Sequence, residues 1–145
     1  MLTHLLDTNL VIDVIKRRPI EALATFNRHR GRLAVSAITL AELVHGAEKS
    51  SDPSRSPPVV EDFCSRLSVL PYGGREAYHY GSICAALEKQ GQPIGVNDLH
   101  IAAQARAQGM NRVTSNLREF ERVPGLMRES WVCKNRLGWK SRRLR

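Results

Sequence analysis

Apolar residues in this chain follow two rhythms. Short apolar runs at 2–6, 32–35, 68–70, 112–115 and 127–132 read as strands. Between them the apolar positions recur every three or four residues, as helices require. Asp7 or Thr8 can cap a first helix carrying Leu10, Val11, Val14 and Ile15, which Arg17-Arg18-Pro19 would end. A second helix spans 20–28, with Leu23, Ala24 and Phe26. Ser36 caps a third, running to about Glu48, whose expected buried stripe is Leu40, Val44 and Ala47. Gly46 in that helix would let another backbone or a ligand approach. The Ser- and Pro-rich stretch 50–58 reads as a loop or helix entry, followed by a helix over 59–67. After Gly73-Gly74, Ala77, Tyr80, Ile83 and Leu87 mark another helix. Asn97 is expected to cap the next, with Ile101, Ala102 and Ala105 facing inward and Gly109 ending it. Strands separated by helices predict an α/β fold, a mostly parallel sheet covered on both faces. Ligands of such sheets gather beyond the carboxyl ends of the strands.

The 145 residues suit one domain with one sizeable core. No apolar run is long enough to span a bilayer, and Asp7 breaks the N-terminal apolar stretch too early for a signal peptide, so the chain reads as cytoplasmic. Cys64, Cys84 and Cys133 have no metal-ligand spacing and read as reduced thiols. The net charge of +8 is concentrated at one end: residues 134–145 hold six Lys or Arg and no acid, leaving sixteen bases against fourteen acids in the rest. Residues 1–132 thus read as the folded domain and 133–145 as a basic, flexible tail. That tail, with Trp139, could meet phosphates and stack on a base, or simply be solvated. The absence of Walker A, G-x-S-x-G and G-x-G-x-x-G strings argues against an NTPase, a serine hydrolase or a dinucleotide enzyme.

Four acids stand out: Asp7, Glu42, Asp98 and Glu119. Asp7 and Glu119 lie just past the first and fourth strands, and Glu42 and Asp98 lie on helices entering the same edge. A carboxylate beside buried surface needs a partner. With few bases close by in sequence, a hard divalent cation such as Mg²⁺ or Mn²⁺ is the partner expected. Such an ion lowers the pKa of a bound water and neutralises phosphodiester charge, so the expected chemistry is metal-assisted phosphodiester hydrolysis leaving 3′-hydroxyl and 5′-phosphate ends. Each acid also has a plainer role: Asp7 as helix cap, Asp98 as a first-turn acid favoured by the helix dipole, Glu42 and Glu119 as solvated surface charges. His45 and His100 lack a ligand partner at helical spacing and read as structural or surface residues.

Leu5-Leu6-Asp7-Thr8-Asn9, Ser36 with Ile38-Thr39-Leu40-Ala41-Glu42-Leu43 and Gly46, Pro93-Ile94-Gly95 with Asn97-Asp98 and Ile101-Ala102-Ala103, and Val113-Thr114 with Asn116 and Arg118-Glu119-Phe120-Glu121-Arg122-Val123-Pro124-Gly125-Leu126 together resemble the PIN-domain family. More narrowly they resemble the VapC toxins of bacterial toxin–antitoxin pairs, over about residues 1–132. The resemblance implies a three-layer α/β/α sandwich and a Mg²⁺-dependent endoribonuclease, Mn²⁺ able to substitute, that arrests translation. Asp7 and Asp98 match the principal metal ligands and Glu42 the third acid, acting on metal or water. Thr8 and Thr114 would orient the acids, with Asn9, Asn97 and Asn116 in supporting positions. Some PIN domains carry Asp where this chain has Asn116, so either Glu119 supplies a fourth carboxylate or the site works with three. The resemblance also implies a homodimer, a VapB-like antitoxin able to place a basic side chain among the acids, and operator DNA bound only through that complex. The implied substrate is a structured RNA, a tRNA or initiator tRNA in its anticodon region. The alternatives are a catalytically weak PIN domain that binds RNA or antitoxin, and a PIN nuclease of RNA processing.

Overall fold

The computed structural model describes residues 1–16, 20–92, 94–114 and 117–131, the side chains of Ser54 and Glu119 excepted. Five strands form one sheet: β1 (His4–Leu6), β2 (Leu33–Ser36), β3 (Ser68–Leu70), β4 (Asn111–Val113) and β5 (Arg128–Glu129), in the order β3-β2-β1-β4-β5. Every pairing is parallel. The helices are α1 (Thr8–Lys16), α2 (Ile20–Arg28), α3 (Ala37–Lys49), α4 (Pro57–Cys64), α5 (Gly74–Lys89), α6 (Val96–Gln108) and α7 (Leu117–Phe120).

Strand parity sorts the side chains into two cores. Leu6, Leu33, Val35 and Val113 point to one face and pack with Leu10, Val11, Phe26, Leu43 and Phe63 of α1 to α4. Leu5 and Ala34 point to the other and pack with Ile83, Leu87, Ile101 and Ala105 of α5 and α6. A sheet buried on both faces is the reason these strands read as continuous apolar runs. The expected three-layer α/β/α sandwich is what forms.

Several local expectations change. Of the stripe expected in the third helix, Ala47 is buried and Leu40 packs half-buried against the core, but Val44 is 44% exposed and Leu43, with Thr39 and Gly46, is buried instead. The space over Gly46 is taken by a side chain rather than by another backbone: a Cβ there would stand 2.6 Å from an Arg55 guanidinium nitrogen. Stretch 50–58 contains a 3-10 turn, Pro53–Arg55, and Pro57 opens α4 two residues earlier than expected, because proline needs no N–H partner in a first helical turn. Asn97 does not cap α6; Gly95 holds that position and frees the Asn97 amide. Ser36 caps α3 as expected, its hydroxyl accepting the Ile38 N–H at 3.0 Å, and Gly109 closes α6 in a left-handed conformation. Cys64 and Cys84 are free thiols; Cys133 and the basic tail lie outside the described residues.

Candidate active site

All five strands run the same way, so their carboxyl ends share one edge, and the site is built there. At the exit of β1 the chain turns directly into α1. Asp7 makes that turn: its Oδ1 accepts the Leu10 N–H at 2.8 Å, and its own N–H donates to the Val113 carbonyl at 3.0 Å. The residue is therefore a helix cap, yet only one carboxylate oxygen is used in this way. The other, Oδ2, lies 3.8 Å from Nη2 of Arg112.

Asp98 stands in the first turn of α6, across from Asp7. Arg112, one residue before the end of β4, connects the two acids. Its Nη1 donates to the Asp98 carbonyl at 2.8 Å, its Nη2 stands 3.4 Å from Asp98 Oδ1, and its guanidinium carbon lies 3.8 Å above the Phe120 ring. Arg112 is fully buried while the Asp98 side chain is about half exposed, so the acid faces the cleft and the base lies beneath it. Few bases lie near these acids in sequence, yet Arg112, 14 positions from Asp98, stands against it in space. Arg112 pairs in register with Leu5 of β1, which places it on the face covered by α5 and α6.

Glu42, from α3, ties three helices together. Its Oε1 accepts from the Thr8 hydroxyl at 2.6 Å, and its Oε2 accepts from the Asn97 amide at 3.1 Å. Thr8 Oγ1 also lies 3.3 Å from the buried Thr39 hydroxyl. Asn9 is exposed on α1, and Thr114 is fully buried just past β4, its N–H donating to the Glu129 carbonyl at 3.0 Å. Glu119 falls in α7; its side chain and all of Asn116 lie outside the described residues. His100 is structural, accepting from or donating to the Tyr72 hydroxyl at 2.6 Å and stacking on Tyr80.

Electrostatically the cleft remains acidic despite its arginine. Burial pushes the Asp98 carboxyl above its usual range; Arg112 pulls it down, while the Asp7 and Glu42 carboxylates push it further up. A carboxyl held up chiefly by burial is costly to keep charged, and a bound cation would relieve that cost. The donors are all hard oxygens, which fit Mg²⁺ or Mn²⁺. Among the described residues no three acidic, histidine or cysteine side chains converge on one point.

Sequence reasoning missed Arg112. A signal was present: a long cation between Asn111 and Val113, in a strand short enough to lie wholly inside the sheet, has no solvent-facing explanation.

Comparison with known proteins gives the family. A PIN domain is matched over residues 4–126. The chain is 57% identical over 132 residues to Ribonuclease VapC2 of Haemophilus influenzae, covering 91% of this chain and all of that protein. It is 47% identical over 131 residues to the tRNA(fMet)-specific endonuclease VapC of Shigella flexneri, covering 90% of this chain and 99% of the relative. Among solved structures, the DNA-bound VapBC of Salmonella typhimurium matches with a TM-score of 0.86 and 48% identity, over 91% of this chain and all of the matched chain. The chain belongs to the PIN-domain family and, within it, to the VapC ribonucleases.

Proposed function

We propose that this protein is the toxin of a VapBC-type toxin–antitoxin pair, a Mg²⁺-dependent endoribonuclease that cuts tRNA and thereby stops translation. The observation that carries the reading is the placement of Asp7 and Asp98 on either side of the Arg112 guanidinium at the carboxyl edge of the sheet, with Glu42 tied to the same edge through Thr8 and Asn97. Its substrate class follows from the similarity to the tRNA(fMet)-specific endonuclease of Shigella flexneri. Asp7 and Asp98 would hold the ion directly, Asp98 from a solvent-facing position and Asp7 through the oxygen its cap does not use. Glu42 would act on the ion's water, held in place by Thr8 and Asn97. When bound, the ion supplies a water of lowered pKa and neutralises charge on the scissile phosphate. The residues' share of the work is orientation: Thr8 fixes one Glu42 oxygen, Asn97 fixes the other, and the buried Thr39 backs Thr8. Glu42 so held can aim a water in line with the leaving 3′-oxygen.

The protein would act in the cytoplasm as a homodimer, restrained by a VapB-like antitoxin, with operator DNA bound through that complex. Among the described residues no helix is long and apolar enough to cross a membrane. The test is cleavage of total tRNA by antitoxin-free protein in Mg²⁺ or Mn²⁺ against EDTA, wild type beside Asp98→Asn. Discrete fragments with 5′-phosphate ends, lost in EDTA and in the variant, are expected. Cleavage that persists in EDTA would overturn the metal assignment. No cleavage of any tRNA by folded protein would overturn the substrate assignment.

A further inference from the structure

The turn from α2 into β2 reads Asn27-Arg28-His29-Arg30-Gly31-Arg32, with three arginines and no acid. Arg28, Arg30 and Arg32 are all exposed, and among the described residues no acid pairs with them. The backbone that carries them is tied down. The Arg32 N–H donates to the His29 carbonyl at 3.0 Å, and the Arg32 carbonyl accepts the Thr3 and His4 N–H groups at 2.9 and 3.2 Å. Like charges gathered on one fixed turn repel, a cost that a bound anion relieves. Arg28 has a local reason to be there, since a cation suits a helix end and its Nη2 donates to the Thr25 hydroxyl at 3.1 Å. Arg30 and Arg32 lie past the last helical residue. Beside the turn is a cavity of about 360 Å³ whose lining includes Phe26, Leu33, Asn27, Arg30 and Arg66. Apolar and aromatic surface, an amide and guanidinium groups together suit a base and its phosphate better than they suit a lipid surface or an acidic protein.

The end of the folded domain arrives at the same place. Trp131 is buried, stacks on His29 with ring centroids 5.4 Å apart, and donates from Nε1 to Glu129 Oε2 at 2.7 Å. The chain beyond it lies outside the family match, which ends at residue 126, and residues 134–145 carry six Lys or Arg and no acid. That basic stretch therefore begins beside the arginine turn.

We infer that the α2–β2 turn, continued by the basic chain that begins next to it, is a second RNA-binding surface that holds phosphates of the substrate outside the cleft. The inference rests on the reading of the protein as a ribonuclease. Arg32 directly precedes β2 and so lies at the amino edge of the sheet, whereas the acids lie at its carboxyl edge. Contacts at the turn touch no reacting atom; they add affinity and fix how a large RNA sits. A domain of this length has a radius of gyration of about 15 Å, so a structured RNA of greater size can meet both edges.

The experiment is binding of labelled total tRNA in Mg²⁺, followed by fluorescence anisotropy over a series of salt concentrations, with the full-length chain carrying Asp98→Asn so that nothing is cut. On that background the parent is compared with a turn variant (Arg28→Gln, Arg30→Gln and Arg32→Gln together), with the same three positions changed to Lys, and with a tail variant whose six bases are changed to Gln. Each is first checked for fold by circular dichroism. Loss of three phosphate contacts is expected to lower the slope of log K against log salt by about 2, which at about 0.15 M salt is roughly fiftyfold weaker binding. The Lys variant, which keeps the charge, is expected to stay near the parent. In the cleaving protein the Gln turn variant is expected to raise KM by a similar factor with kcat within about twofold, because binding remote from the chemistry is lost equally from ground and transition states. The tail variant is expected to lower the slope as well; an unchanged slope there would overturn the continuity of turn and tail. Parent-like affinity and slope in the folded Gln turn variant would overturn the inference and leave the nuclease intact. Normal tRNA binding with lost binding to phosphatidylglycerol vesicles would overturn it in favour of a membrane surface. A parent that binds no tRNA would overturn the substrate reading and this inference with it. Should the triple variant not fold, Arg30→Gln alone decides, by a smaller loss of slope or none.

Discussion

Asp7 carries two roles that a pair of substitutions can separate. As a cap, its Oδ1 accepts the Leu10 N–H at 2.8 Å; on the proposed reading its Oδ2, 3.8 Å from Arg112 Nη2, is a metal ligand. Asp7→Asn keeps an acceptor for Leu10 and removes the charge. Asp7→Ala removes both. The charge terms are common to the two variants: attraction to Arg112 is lost and repulsion from Asp98 is relieved in each. They therefore cancel in the difference, which leaves the cap. Loss of a capping side chain costs about 1 kcal/mol, and a buried N–H left without a partner raises that toward about 2 kcal/mol. For a domain of this size that is a Tm about 4–8 °C lower for Asp7→Ala than for Asp7→Asn. Cleavage should not follow stability. On the proposed reading both variants lose a direct ligand, and a deficit of about 3–4 kcal/mol in transition-state stabilisation is a fall of roughly a hundredfold to a thousandfold. The assays are thermal melting in EDTA and initial rates of tRNA cleavage in Mg²⁺ at a temperature where both variants are folded. If Asp7→Asn kept more than about a tenth of the activity, the residue would be a cap and nothing more, and the ligand assignment would fail. If the two variants melted together, the capping bond would contribute nothing and the account of how α1 starts would be wrong.

Three further outcomes are expected. Thr8→Val should lower kcat about tenfold with little change in KM, because it removes a charge-assisted hydrogen bond that holds Glu42 but touches no substrate; an unchanged kcat would remove Glu42 orientation from the mechanism. His100 is held below its usual value of 6.5 by burial, so the folded state refuses a proton that the unfolded chain accepts. The stability this contributes is present above pH 6.5 and is lost as pH falls through the lower folded value, so wild-type Tm should drop more steeply below pH 6.5 than that of His100→Gln; parallel curves would refute it. Gly46→Ala should change stability by less than about 1 kcal/mol, since a gain in helix propensity offsets the displacement of the mobile end of Arg55; a loss of several degrees in a melting experiment would show that the Arg55 contact is rigid.

The parts of this site that were legible in the sequence are those with a local cause. Asp7 and Ser36 sit where an apolar strand gives way to a helix, and both cap as such residues do. The parallel sheet was legible because strands covered on both faces must be apolar throughout, and from it came the expectation that the acids share one edge. Asn97 was misplaced because capping looks the same for several residues in a row. Gly95 takes the cap position two residues earlier in an extended conformation, which leaves the Asn97 amide to donate to Glu42, 55 positions away. Arg112 was hidden for a deeper reason. Its meaning depends on register, since only the pairing of Leu5 with Arg112 places the guanidinium beneath α6 and beside Asp7. Sequence spacing gives the face of a strand but not the neighbour across it. A residue whose partners come from β1 and α6 at once is visible only when those elements have been assembled. The acids could be nominated one by one from their neighbours in sequence, but the guanidinium that lies against two of them is a property of the assembled sheet.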